Sequence, residues 1–231
     1  MSAHQTSAEP GQSPIKAAPI KAVLWDFGGV ILTSPFEAFR RYEEARGLPR
    51  DFLRGVNAVN PHTNAWARFE RGEVDAASFG DLFAAEAKAL GHDVHGSEVL
   101  KLVSGEIRPR MVAALKSVKT RFKIACLTNN MPLGHGPAMA VSPEKAAAVA
   151  EVMRLFDIVV ESSKVGVRKP EPAFYQRACE LLDIQPFEAV FLDDLGINLK
   201  PAAAMGMQTI KVEDPDKALA DLSRIIGMEF A

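Results

Sequence analysis

The stretch Glu188-Ala-Val-Phe-Leu-Asp-Asp-Leu-Gly-Ile-Asn-Leu-Lys-Pro201 decides the reading of this chain. Its first half is a continuous apolar run ending in two adjacent carboxylates, Asp193 and Asp194, and it passes at once into Gly196, Asn198 and Pro201. An unbroken apolar run suits a strand covered on both faces, so the pattern places a buried strand that delivers negative charge to a loop. Neighbouring carboxylates repel one another, and a hard divalent cation is the simplest means of holding both ionised. Mg²⁺ is the expected cofactor. A second apolar run, Lys21-Ala-Val-Leu-Trp25, also ends in a carboxylate, Asp26, and turns through Gly28 and Gly29 into Val30-Ile31-Leu32. Two strand-end acids point to one site.

Outward from these runs, five short apolar segments stand out: Ala22 to Trp25, Phe122 to Leu127, Ile158 to Val160, Ala189 to Leu192 and Thr209 to Val212. Helix-like stretches lie between the later ones, Pro109 to Lys119, Pro143 to Phe156, Pro172 to Asp183 and Pro201 to Met205, each opened by a proline, which a first helical turn tolerates. This alternation predicts an α/β fold with a Rossmann-like parallel sheet flanked by helices, residues 20–33 and 106–231 forming its core. Gly206 is read as a left-handed cap before the last strand. The 96 residues between Trp25 and Phe122 are far more than one crossover helix needs. They carry helical periodicity over Phe36 to Arg46, Arg50 to Val59 and Asp75 to Leu90, so residues 34–105 are expected to form an inserted α-helical cap. Ligands of open α/β sheets bind beyond the carboxyl ends of the strands, where an insertion leaving after Asp26 would cover them.

The 231 residues, 48% of them apolar, suffice for one domain with a sizeable insertion. A formal charge of −2, with basic and acidic residues interspersed, argues against nucleic acid or an anionic membrane as partner. Residues 1–19, rich in Ser, Ala, Gln and Pro, read as a disordered tail, neither a signal peptide nor a membrane span. Cys126 and Cys179 each sit inside an apolar element, which suggests buried thiols and a cytoplasmic location. His92 and His95 are three apart without a third ligand nearby, and His135 lies in a loop soon after Thr128.

Asp26, beside a cation, has the chemistry of a nucleophile, with helix capping as the plainer alternative. Thr128, Asn129 and Asn130 close the second strand with groups able to hold phosphate oxygens, though such residues also form ordinary turns. Lys169, in Gly166-Val-Arg-Lys-Pro-Glu-Pro172, offers a compact positive charge between rigid prolines.

In this order the four segments resemble the haloacid dehalogenase superfamily of hydrolases, most of all the amino-terminal phosphatase-like domains of soluble epoxide hydrolase and of acyl-CoA dehydrogenase family members ten and eleven. The resemblance implies a sheet of order 5-4-1-2-3, with Asp26 as nucleophile and metal ligand. Thr128, Asn129 and Lys169 would hold the phosphoryl group, Lys169 also steadying the nucleophile. Asp194, Asp193 and the backbone carbonyl of Gly28 would complete the Mg²⁺ site. Trp66, Arg68, Glu70 and Arg71 correspond to a cap segment whose side chains would face a small phosphorylated substrate.

One position departs from the family. Its active phosphatases usually carry a second aspartate two residues after the nucleophile, as the acid and base of the reaction, and here that residue is Gly28. Losing such a group typically costs about 10²–10⁴-fold in rate. The expected function is a Mg²⁺-dependent phosphatase, weak or confined to good leaving groups, with Glu70 or His62 as replacement acids. The alternatives are a metal-independent 2-haloacid dehalogenase, which needs no leaving-group acid, and a catalytically silent binding protein of the same fold. The sequence names neither the substrate nor the oligomeric state.

Overall fold

The computed structural model describes residues 19–131 and 142–230. The expected tail, apart from Pro19, and His135 lie outside them. In chain order, β1 (Ala22–Trp25) is followed by five helices, α1 (Phe36–Arg46), α2 (Phe52–Ala58), α3 (Ala65–Glu70), α4 (Ala76–Ala89) and α5 (Gly96–Leu100). Strands and helices then alternate: α6 (Pro109–Lys119), β2 (Lys123–Thr128), α7 (Pro143–Met153), β3 (Ile158–Glu161), α8 (Ser162–Val165), α9 (Pro172–Leu182), β4 (Ala189–Asp193), α10 (Gly196–Ala204), β5 (Gln208–Lys211) and α11 (Pro215–Ile226).

All five strands are parallel, in the order β3-β2-β1-β4-β5, which is the expected order read from the other edge. Alternate residues serve two apolar layers. Val23, Trp25, Cys126 and Leu192 pack with α6, α7 and α11, whereas Ala22, Leu24, Leu127 and Phe191 pack with α9 and α10. Because both faces are covered, every residue of β1 is fully buried, and the strand shows no polar alternation. Register places the site: Trp25 lies opposite both Cys126 and Leu192, so Asp26 and Asp193 leave the same end of the sheet side by side.

Two differences from the sequence reading have physical causes. α10 begins at Gly196, so Pro201 lies inside the helix. The carbonyl that Pro201 leaves without a helical partner belongs to Ile197, which is exposed and can bond to water. α11 is not among the expected helices, although Asp214 accepts from the Lys217 N–H, Pro215 follows as first helical residue and left-handed Gly227 ends the helix. Its core residues Ala218, Leu219, Leu222 and Ile226 recur at helical spacing.

Between β1 and α6 the helices enclose an apolar cluster of their own, with Phe39, Phe52, Phe69, Phe79 and Phe83 buried. Each such ring contributes about 1.5–3 kcal/mol on burial. His92 packs edge-on against Phe52 and His95 caps α5, so this pair builds no metal site. The chain leaves and returns through a narrow neck: Leu32 and Ile107 form an antiparallel bridge, and the Thr33 N–H donates to Glu106 O at 2.8 Å. At Gly105 a Cβ would lie 2.3 Å from Thr33 O, so only glycine lets the two segments approach this closely. No described helix is long and apolar enough to cross a membrane.

Candidate active site

Asp26 sits where β1 ends, its backbone N–H donating to Leu192 O at 2.8 Å and its Oδ1 accepting from Phe27 N at 2.6 Å. This contact ties Oδ1 to the turn that follows the strand, where Gly28 and Gly29 are non-helical, so there is no helix for Asp26 to cap, and Oδ2 faces the cluster. Lys169 Nζ lies 2.8 Å from Asp26 Oδ2 and 2.7 Å from Asp193 Oδ2, with its side chain 1% exposed. Asp193 also accepts from the Leu195 N–H at 2.8 Å and from Asn198 Nδ2 at 3.0 Å. One oxygen from each of Asp26, Asp193 and Asp194 falls within 4.8 Å of the others.

Three carboxylates against one ammonium leave an excess of two negative charges, the charge of one divalent cation. The donor set consists of hard oxygens with no imidazole or thiolate, which suits Mg²⁺. Asp193 already accepts from three partners, so Asp26 and Asp194 have the more available lone pairs. Gly29 makes the approach of Asp194 possible: its φ is +75°, and a Cβ there would lie 2.2 Å from Asp194 Oδ2. The loop is braced from outside by Arg108, whose Nη1 donates to Gly29 O at 2.7 Å.

Electrostatics register the same excess. Burial pushes the Asp26 carboxyl well above its usual range; Lys169 pulls it down, while Asp193 and Asp194 push it further up. Asp194 is pushed up to about 6, by burial first and then by Asp193. Burial acts to lower the Lys169 ammonium, but Asp193 and Asp26 outweigh it and the net shift is upward.

A family model for haloacid dehalogenase-like hydrolases matches residues 20–206, spanning β1 to the end of α10. The chain belongs to the haloacid dehalogenase-like hydrolases. Over 223 residues it is 33% identical to mouse bifunctional epoxide hydrolase 2, covering 91% of this chain and 40% of that protein, so it spans less than half of the relative's length. A sesquiterpene phosphatase of Aspergillus oryzae is 24% identical over 212 residues, with 90% of this chain and 97% of that protein covered. Among solved structures, a family enzyme of Bacteroides thetaiotaomicron in complex with magnesium and inorganic phosphate superimposes with a TM-score of 0.55 at 20% identity. That match covers 84% of this chain and 96% of the other.

In this hydrolase the expected residues divide into those the fold gathers and those it does not. Asp26, Gly28, Thr128, Asn129, Lys169 and Asp194 all line one cavity of about 360 Å³ between the sheet and the inserted helices. Asn129 uses its side chain elsewhere: Oδ1 accepts from Lys169 N at 2.8 Å, and Nδ2 donates to Lys169 O at 3.0 Å and to Glu70 Oε2 at 3.1 Å. Its backbone N–H is what remains for an anion. Trp66 and Glu70, four apart on α3, share the cavity wall, as does His62. Arg68 and Arg71 do not line it: Arg68 is turned to Glu73 at 3.7 Å, and Arg71, past the helix end, pairs with Glu73 and with Glu171 at 3.4 Å. Two or five residues along a helix from position 66 is a different face. Of the two expected replacement acids, Glu70 has no unengaged carboxyl oxygen: Oε1 accepts from Trp66, and Oε2 accepts from Asn129 and Arg168.

Sequence reasoning missed Arg108, Asn198 as a partner of Asp193, and Arg168. Asn198 was within reach, since it follows Asp193 by five residues and enters α10 early. Arg108 and Arg168 meet their partners across 79 and 98 residues, beyond any local pattern.

Proposed function

We propose that this hydrolase is a Mg²⁺-dependent phosphatase with Asp26 as nucleophile, acting on phosphate esters with an apolar body. The observation that carries the reading is the cluster of Asp26, Asp193 and Asp194 around one buried lysine, opening onto a cavity walled by Phe36, Phe39, Trp66, Val103, Met131 and Ile197. Asp26, Asp194 and the Gly28 carbonyl would hold the Mg²⁺, which when bound neutralises charge on the phosphoryl oxygens. Thr128 and the backbone N–H of Asn129 would orient the phosphoryl group, and the inserted helices would act as the cap that excludes water. Attack by an Asp26 oxygen forms an aspartyl phosphate as the ester P–O bond breaks. The departing oxygen takes its proton from solvent, because Gly28 supplies no acid. Water then attacks phosphorus, releasing inorganic phosphate and restoring the Asp26 carboxylate. The named phosphatase of A. oryzae supports both the reaction and the apolar substrate class.

Gly28 also favours a second reading, a dehalogenase, in which halide leaves without protonation. The surplus of two negative charges beside the nucleophile weighs against it, because an uncompensated cluster resists ionisation of Asp26. The test is phosphate release from farnesyl, alkyl and aryl phosphates with and without Mg²⁺, using Asp26→Asn as blank. Halide release from 2-chloropropionate, unaffected by chelator and without phosphate release, would overturn the proposal.

A further inference from the structure

Glu70 ends α3 and is buried, 6% exposed, yet it lies in the inserted helices rather than in the sheet domain. Its Oε1 accepts from Trp66 Nε1 at 2.9 Å, within the insertion. Its Oε2 accepts from Asn129 Nδ2 and from Arg168 Nε, both outside it. These two residues flank the proposed chemistry: Asn129 follows Thr128, and Arg168 precedes Lys169. The Asn129 amide closes a ring with the Lys169 backbone through its bonds to Lys169 N and O, so Glu70 braces the lysine from a distance of one side chain. Arg168 reaches back to Pro61 O at 3.2 Å, and Arg71 pairs with Glu171 beyond the lysine. The turn after α3 is seated as closely: a Cβ on left-handed Gly72 would lie 3.0 Å from Ser163 O.

A buried carboxylate is costly unless paired and hydrogen-bonded, and an apolar contact would dock α3 without that cost. Here the carboxylate instead links the helix end to the atoms that frame Lys169. We propose, on the phosphatase reading above, that Glu70 is a positioning residue through which docking of the inserted helices completes the geometry of the Thr128 turn and the Lys169 loop. Undocking breaks the bonds to Asn129 and Arg168 together. The lysine loop is then framed by the sheet domain alone, so substrate entry and catalysis belong to different arrangements of the same residues.

The test compares the full chain with Glu70→Gln and Glu70→Asp, the second keeping charge in case the first folds poorly. Hydrogen exchange over residues 163–171 should quicken about tenfold in Glu70→Gln, the effect of losing one charge-assisted bond, with the amides of β1 and β4 unchanged. For p-nitrophenyl phosphate, kcat should fall about 10–100-fold while KM shifts by less than about threefold, and Glu70→Asp should recover most of the loss. Unchanged exchange over 163–171 overturns the proposal, and so does faster exchange with kcat intact. Absence of phosphate release in the wild type would remove the phosphatase reading alone, and exchange would still decide whether Glu70 couples the two parts.

Discussion

Substituting Gly28 by aspartate supplies the acid that this site lacks, and the structure states what the change costs. Gly28 has φ −69° and ψ 135°, ordinary for any residue, and a Cβ there meets nothing within 4 Å. Replacing glycine at compatible angles stabilises a fold by about 0.4–1 kcal/mol through the unfolded chain. Against this stands a fourth carboxylate beside a cluster already two charges in excess. That repulsion raises the new group's own pKa and keeps it protonated nearer neutrality, the state a general acid needs. The expected gain is about 10²–10⁴-fold for alkyl phosphates, a barrier lower by about 3–5.5 kcal/mol. For p-nitrophenyl phosphate, whose leaving group needs no proton, the gain should be small. Steady-state kcat/KM across leaving groups of graded pKa measures this as a flattening of the dependence, with Gly28→Ala as the control for bulk. A Gly28→Asp enzyme that folds and binds Mg²⁺ as before, yet keeps the wild-type dependence on leaving group, would refute the reasoning.

The neighbouring glycine should behave oppositely: Gly29→Ala places a methyl against the Asp194 carboxylate at positive φ, so calorimetry should show Mg²⁺ binding weakened at least about tenfold, with a strain of about 1–2 kcal/mol in unfolding. Wild-type Mg²⁺ affinity would refute it. Lys169→Met strips the only cation among the described residues within bonding distance of Asp26 and Asp193 and should destabilise the chain by about 3–5 kcal/mol in urea, less in an Asp26→Asn background; equal losses in both backgrounds would show that the pair is not coupled. The pH dependence follows from Asp194: with its folded pKa near 6, above the ordinary carboxyl value, its contribution to metal-free stability is full below about pH 4 and is lost as pH rises toward 6. Mg²⁺ must displace that proton, so the rise in Tm on adding Mg²⁺ should be large at pH 7.5 and small at pH 5, and equal shifts would count against it.

The sheet was legible because both its faces are covered: Ala189 to Leu192 could be read without knowing which helix lies on which side. The acids at strand ends were legible for the same reason, since a charge that terminates an apolar run has one place to go. What escaped is what depends on residues meeting across the fold. α3 and α5, of six and five residues, are too short for periodicity to mark them. The resemblance set Trp66, Arg68, Glu70 and Arg71 together toward the substrate, whereas Arg68 and Arg71 turn away toward Glu73 and Glu171. Asn129 read as a phosphate ligand, and its amide proves to be committed to the Lys169 backbone. α11 is a case where the local signals, Asp214, Pro215 and Gly227, are all present in the sequence.

The neck at Leu32 and Ile107 bears on how such enzymes diversify. Because the outgoing and returning segments are hydrogen-bonded to each other, the sheet domain meets everything between them as a loop with its ends already joined. The entropy of closing a loop grows only with the logarithm of its length, about 0.6 kcal/mol per doubling. A helical segment of another size or shape could therefore be grafted at this junction while the carboxylate cluster keeps its foundations. Such a graft keeps the framing of Lys169 only where it brings its own acceptor for Asn129 and Arg168, the part that Glu70 plays here.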